Sequence, residues 1–145
     1  MVDPDKPIFF ARFKVNNHEV KKNRRPIFRN PKTGRPFFGK STELRLAESH
    51  MFHELMKAKR ENQIQFPILT DVHVQFRFFF KDFYTKKGIR KLTLPDLSNL
   101  MQLPEDSLQE AGIIENDTQI VSLDGSRRLP GEANVLEISI WLVPE

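Results

Sequence analysis

The sequence predicts an α+β fold: a small mixed β-sheet with two helical segments, in a single domain covering residues 1–145. Three observations lead there. A length of 145 residues favours one domain, and 39% hydrophobic with 29% charged residues suits an ordinary packed core. Between Thr70 and Phe80, Val72, Val74, Phe76, Phe78 and Phe80 alternate with Asp71, His73, Gln75 and Arg77, the period of a half-buried strand. Leu44, Ala47, Met51, Leu55 and Ala58 recur instead at three- and four-residue spacing, the period of an amphipathic helix.

Taken in order, Ile8 to Val15 reads as a first strand. The segment after it is punctuated by Pro26, Pro31, Gly34, Pro36 and Gly39. Asn30-Pro31-Lys32-Thr33-Gly34 is good turn chemistry, and Phe28 and Phe37-Phe38 flank it, so a loose hairpin with a basic tip is expected. Ser41 or Thr42 then caps the first helix, which should fade near Arg60 to Asn62, and Pro67 closes the linker to the Thr70–Phe80 strand. Lys81 to Lys91 is a basic loop with Phe83 and Tyr84 interleaved. A short helical region begins at Asp96, is expected to break or restart at Pro104, and stops at Gly112. Thr118 to Leu123 and Asn134 to Val143 read as strands, with Arg127 and Arg128 in the turn between them.

Charge is divided unevenly. The net charge is +4, yet eight basic residues lie between Val20 and Thr42 with no acid among them: Lys21, Lys22, Arg24, Arg25, Arg29, Lys32, Arg35 and Lys40. The rest of the chain is therefore net acidic. One segment suits a polyanion and the other a cation, although a basic run also serves as a plain solvated face. With no cysteine, neither a disulfide framework nor a thiolate zinc site can form. No apolar run reaches the roughly 18 residues needed to span a bilayer, and no secretory pattern opens the chain, so a soluble intracellular protein without a membrane partner is expected.

The chemistry concentrates between Leu94 and Asp124. Hydrolysis of a phosphodiester with Mg²⁺ calls for hard oxygen ligands, usually a few carboxylates completed by water and the phosphate. Asp96 follows Pro95 and should begin a helix; Asn99 and Asp106 share a face if that helix runs through; Asp117 stands just before a strand. Three acids from different elements thus have a route to one cation. The plain alternative is capping by Asp96, turn chemistry for Glu115-Asn116-Asp117, and a solvated helix face for Glu105 and Asp106. His50 and His53 lie three apart on the first helix, but no third ligand accompanies them, which argues against zinc.

The runs Pro95-Asp-Leu-Ser-Asn-Leu100, Glu105-Asp-Ser-Leu-Gln-Glu-Ala-Gly-Ile-Ile114 and Glu115-Asn-Asp-Thr-Gln-Ile-Val121 resemble the core motif of the RusA family of Holliday junction resolvases. The spacing carries over without a gap from Asp96 to Val121. That resemblance implies an endodeoxyribonuclease acting in DNA recombination and repair, commonly phage- or prophage-encoded and so in a bacterial cytoplasm. It implies Mg²⁺ with Mn²⁺ as a substitute, no nucleotide cofactor, and a homodimer placing paired symmetric nicks in four-way junctions and other branched DNA. Asp96 and Asp117 match the first and third catalytic aspartates. Ser98 stands where the family carries its second, and Gln102 where it carries a lysine. Asp106 is the candidate for the missing carboxylate, and Arg90 or Lys91 for the lysine's role.

On this reading the phosphates would be tracked by Lys21, Lys22, Arg24, Arg25, Arg29, Lys32, Arg35 and Lys40, by Lys86, Lys87, Arg90 and Lys91, and by Arg127 and Arg128. Among the aromatics of the basic segments, Phe37 or Phe38 is the best placed to stack on bases at a branch point, whereas Phe28, Phe83 and Tyr84 are expected mostly in the core. Two rivals remain: a junction- or single-strand-binding protein that no longer cuts, and a basic regulator of duplex DNA, for which no helix-turn-helix pattern is visible.

Overall fold

The computed structural model describes residues 6–18 and 27–144, apart from the side chains of Phe37 and Phe38. Its elements are β1 (Phe9–Lys14), β2 (Ile27–Arg29), β3 (Pro36–Phe38), α1 (Thr42–Glu61), β4 (Val72–Phe80), α2 (Leu97–Glu110), a 3-10 turn (Asp117–Gln119), β5 (Ile120–Ser122), β6 (Arg127–Pro130) and β7 (Val135–Leu142). The architecture is the expected α+β. Five strands form one mixed sheet and β2 with β3 forms a separate hairpin.

The alternation in β4 makes it the sheet's central strand. It pairs antiparallel with β7, which pairs antiparallel with β1, while its other edge is shared in turn by β5 and β6, both parallel to it. Where the partner changes from β5 to β6, the Phe76 N–H would lose its acceptor; Ser126 Oγ takes it at 3.0 Å. One face of the sheet carries Phe9, Ala11, Phe13, Val74, Phe76, Phe78, Leu136, Ile138 and Ile140, all buried. Fully burying a Val, Leu, Ile or Phe side chain is worth about 1.5–3 kcal/mol over its exposed state. The two helices cover this face, contributing Met51, Leu55 and Ala58 from α1 and Leu100 and Leu108 from α2 to the same core.

Helix α1 begins as its sequence predicts: Ser41 Oγ accepts the Leu44 N–H at 3.1 Å. It ends at Asn62, whose side chain does two jobs. Nδ2 donates to the Ala58 carbonyl at 2.7 Å and to the Phe10 carbonyl at 3.0 Å, and Oδ1 accepts the Phe10 N–H at 3.1 Å. The helix end is thereby satisfied, and so is part of β1's open edge. In the hairpin, Gly34 adopts φ +69°, a conformation that disfavours any side chain, and its N–H bonds to the Asn30 carbonyl at 2.8 Å.

Three expectations need correction. Helix α2 is not broken at Pro104 but continues through it to Glu110. Proline removes one backbone N–H, yet Pro104, Ser107 and Leu108 are all buried, so packing of this face holds the helix together. Arg127 and Arg128 lie in strand β6 rather than in a turn, because β4 leaves its edge open alongside Arg77–Phe80 for a parallel partner. The stretch from Thr118 opens with a 3-10 turn, and the strand itself is only Ile120–Ser122.

Candidate active site

Asp96 caps α2 in geometry but not in bonding. Its backbone is extended (φ −61°, ψ 144°), its carbonyl accepts the Leu100 N–H at 3.1 Å, and its side chain makes no capping hydrogen bond. The carboxylate is exposed. Ser98 and Asn99 beside it are exposed as well, and Gln102 is half-buried one turn further on. A cation reaches this end from the neighbouring sheet edge: Arg128 Nη1 donates to the Pro95 carbonyl at 3.1 Å. A guanidinium has five donors, so this contact leaves most of the fork available for an anion next to Asp96.

Asp117 is built by the opposite end of α2. Gly112 takes φ +70° and stops the helix; Ile113 and Ile114 then bury completely, and Ile113 accepts the Ile68 N–H at 2.9 Å. The chain is now locked against the segment that leads into β4. Asn116 opens the acidic turn with Oδ1 accepting the Thr118 N–H at 2.9 Å. Gln119 closes it: Oε1 accepts the N–H groups of Glu115 and Asn116, both at 2.8 Å, and Nε2 donates to the carbonyls of Ile68 at 2.7 Å and Thr70 at 2.8 Å. Gln109 from α2 adds one bond, its Oε1 accepting the Asp117 N–H at 3.1 Å. The Asp117 side chain stays exposed on this tightly held loop.

Sequence reasoning passed over Gln119 and Gln109. The signal for Gln119 was there: Asn116-x-x-Gln119 is a capping box, with the asparagine bonding forward and the glutamine bonding back. Nothing local marks Gln109, because its partner is eight residues away across the helix end.

Two independent rulers separate the acids. Asp96 precedes Leu97, and Asp117 is tethered to Gln109; twelve residues of α-helix between those points span about 18 Å. Along the sheet, the Asp117 turn feeds into Ile120 opposite Val72, whereas Arg128, which touches Pro95, lies opposite Phe78. Six strand residues span about 20 Å. Carboxylate oxygens must approach Mg²⁺ to about 2.1 Å. The donor chemistry therefore suits a hard divalent cation, and within one chain Asp96 and Asp117 stand near opposite ends of α2. Among the described residues there is no group of three or more His, Cys, Asp or Glu side chains placed to hold a metal. Asp106 is half-buried and already engaged by a neighbour. It precedes Gln109 by three residues, which sets it on the Asp117 side of α2.

The basic residues distribute widely. Lys21, Lys22, Arg24 and Arg25 lie outside the described residues. Arg29, Lys32 and Arg35 are exposed around the hairpin turn, and Lys86, Lys87 and Arg90 are exposed in the 81–91 loop. Lys40 is ion-paired to Glu48 at 2.8 Å. Lys91 is half-buried and, with Asn17, His18, Phe80, Asp82, Leu94 and Asn134, lines a polar cleft of about 230 Å³. Arg90 and Lys91 are the candidates for the lysine's role; Arg128 is a cation that reaches the residue next to Asp96, through the Pro95 carbonyl. Among the aromatics Phe83 is buried, whereas Phe28 and Tyr84 are exposed. His50 is spent on packing, its Nε2 bonded to the Lys14 carbonyl at 2.8 Å.

With this geometry in place, comparison with known families is decisive: the family model described as Endodeoxyribonuclease RusA matches residues 17–141. The chain belongs to the RusA endodeoxyribonuclease family. The match takes in the hairpin, both helices, the acidic turn and almost all of β7, so the whole scaffold of the site is RusA-like. No curated protein sequence matches the chain. None of the described helices of this RusA-family protein is long and apolar enough to cross a membrane.

Proposed function

We propose that this RusA-family chain is a Mg²⁺-dependent, structure-specific endodeoxyribonuclease that resolves Holliday junctions and other branched DNA by paired symmetric nicks, with Mn²⁺ able to substitute. The observation that carries the proposal is the pair of exposed aspartates, Asp96 and Asp117, at opposite ends of α2 in a chain whose residues 17–141 match the RusA model. Separation by the length of a helix calls for a second copy. In a two-fold dimer, residue i of one subunit meets residue j of the other and the reverse. If the α2 helices meet antiparallel, Asp96 of each subunit faces Asp117 of its partner, and two equivalent sites form. Asp106, on the Asp117 side, is the proposed third carboxylate.

When bound, the metal would lower the pKa of a water and offset charge on the phosphate and leaving oxygen. The chain's own residues position the strand. Arg128 and the exposed N–H groups at the start of α2 offer donors to phosphate oxygens next to Asp96. The hairpin cations Arg29, Lys32 and Arg35 and the loop cations Lys86, Lys87 and Arg90 would hold the arms by charge, without reading sequence. The two-fold protein then matches the two-fold junction.

A second reading is a junction-binding protein that no longer cuts. It is favoured by Ser98, exposed at the second position of α2 with no charge to offer a cation. One assay separates the two: purified protein with a synthetic four-way junction or linear duplex, with Mg²⁺ or with EDTA. Symmetric nicking of the junction in Mg²⁺ alone is the expected result. Junction bound but intact in both buffers would give the second reading, and preference for linear duplex would overturn both.

A further inference from the structure

Both helices pack on one face of the five-stranded sheet, and the residues of the other face form an ordered pattern. Cross-strand pairing aligns Arg12, Glu137, Arg77 and Arg127 in one row over β1, β7, β4 and β6. The next row is Lys14, Val135, Phe79 and Leu129. Paired residues point to the same side of a sheet, so four cations share this face, and Glu137 is the one acid among the strand positions that line it. Arg12 and Arg77 both bond to Glu137, at 2.6 and 3.4 Å. Both guanidinium groups also lie over the Phe79 ring, 5.7 and 5.6 Å from its centroid. Their side chains nevertheless remain 56% and 45% exposed, while that of Glu137 is 11% exposed. Glu137 and Phe79 thus fix two long side chains in place without covering them, which lowers the entropy lost when an anion binds.

We propose that this open sheet face is a second DNA-contact surface, a preorganised basic ledge for the sugar–phosphate backbone of a duplex arm. The inference rests on the reading that the chain acts on DNA, and goes beyond it by adding Arg12, Lys14 and Arg77 to the contact set. Four strands set the row at about 14 Å, a length along which one strand of a duplex carries about four phosphates. A second copy of this chain is a poor occupant, because a two-fold contact would press each cation row against its equal. Strand β6 links the ledge to the acidic site. Consecutive strand residues face opposite sides, so Arg128 turns to Pro95 beside Asp96 while Arg127 turns to the ledge. A single arm passing the β6 edge would meet both.

The test is equilibrium binding of the full chain to a labelled four-way junction and to linear duplex in EDTA, across a series of KCl concentrations. Two variants are compared with the wild type, each checked by thermal melting: Lys14→Gln with Arg127→Gln, and Arg12→Gln with Arg77→Gln and Glu137→Gln, which keeps those three side chains hydrogen-bonding but uncharged. Each lost phosphate contact should lower the slope of log affinity against log salt by about 0.9 and weaken binding roughly tenfold at 0.1 M salt. Wild-type slopes and affinities in both variants would overturn the ledge while leaving the nuclease proposal intact. Conversion of a dimer to a monomer by either variant would mark the face as an interface between copies and would also overturn it. A wild type that binds with the expected dependence but never cuts would sink the nuclease reading alone, and one that binds no DNA would sink both.

Discussion

The Gln109 side chain accepts the backbone N–H of Asp117 at 3.1 Å, which ties the acidic turn to the last turn of α2, at the end remote from Asp96. This bond, with the pairing of β5 and β6 along β4, decides the geometry of the site. On the proposed reading each chain carries two half-sites, which leads to an experiment that a site contained in one chain would fail.

Asp96→Asn and Asp117→Asn should each abolish metal-dependent cleavage by at least about 10²-fold, while fold and junction binding persist. Mixed, the two inactive proteins should recover activity. Half of a random mixture is heterodimer, and in each heterodimer one site has both aspartates, so about a quarter of the sites are restored. The readout is nicking of one strand per junction after subunit exchange. A mixture as inactive as its components would place both acids of a site in one chain.

Asp106→Asn should also reduce cleavage, by about tenfold or more, because it lies on the Asp117 side of α2 and is the proposed third carboxylate. Since Asp106 is engaged by a neighbour, the melting temperature must be followed beside the rate. Full Mg²⁺-dependent activity in a stably folded variant would remove it from the site.

Gln119→Leu should cost roughly 2–4 kcal/mol in unfolding free energy. The carboxamide makes four hydrogen bonds and is only 9% exposed, so its loss leaves backbone donors and acceptors unpaired in poorly solvated surroundings. Gln119→Glu keeps the acceptor but sets a carboxylate oxygen against the Ile68 and Thr70 carbonyls, so it should also be less stable than the wild type. Denaturant titration measures both. A leucine variant as stable as the wild type would mean that the turn is held by other contacts.

His18 supplies a pH dependence of stability. It packs against Phe80 at 4.8 Å and Phe78 at 5.6 Å between ring centroids, and Nε2 donates to the Phe79 carbonyl at 3.0 Å. Burial pushes its pKa down from 6.5 to about 4, against the smaller upward pull of backbone hydrogen bonds from Phe79 and Val135. Between those values the unfolded chain takes up a proton that the folded chain refuses. The contribution is therefore intact above pH 6.5 and falls as pH drops toward 4, by about 3 kcal/mol in all. The difference between urea-unfolding profiles of wild type and His18→Phe isolates it: the variant should lose less stability over that window. Parallel profiles would show that His18 titrates alike in both states.

The local patterns in this chain carried much of the fold. Alternation along Val72–Phe80, the Ser41 cap with its three- and four-residue apolar spacing, and the Gly34 and Gly112 positions each express a short-range requirement of backbone or burial. For that reason β4, α1, the hairpin turn and the end of α2 are legible residue by residue. The uninterrupted run from Asp96 to Val121 likewise pointed to the RusA family, which the match over residues 17–141 bears out. Tertiary structure decided the rest. Pro104 reads as a breaker until the burial of Leu108 and Ser107 outweighs one lost hydrogen bond. Arg127 and Arg128 read as a turn until β4 offers them an edge, and pairing then sends their side chains to opposite faces. The spacing in sequence placed Asp96 and Asp117 in one constellation; the fold sets them near opposite ends of α2, with Asp117 tethered by Gln109. Sequence separation records which residues are present, whereas their distance depends on the elements that span the interval, and those elements exist only once the sheet and helices have packed.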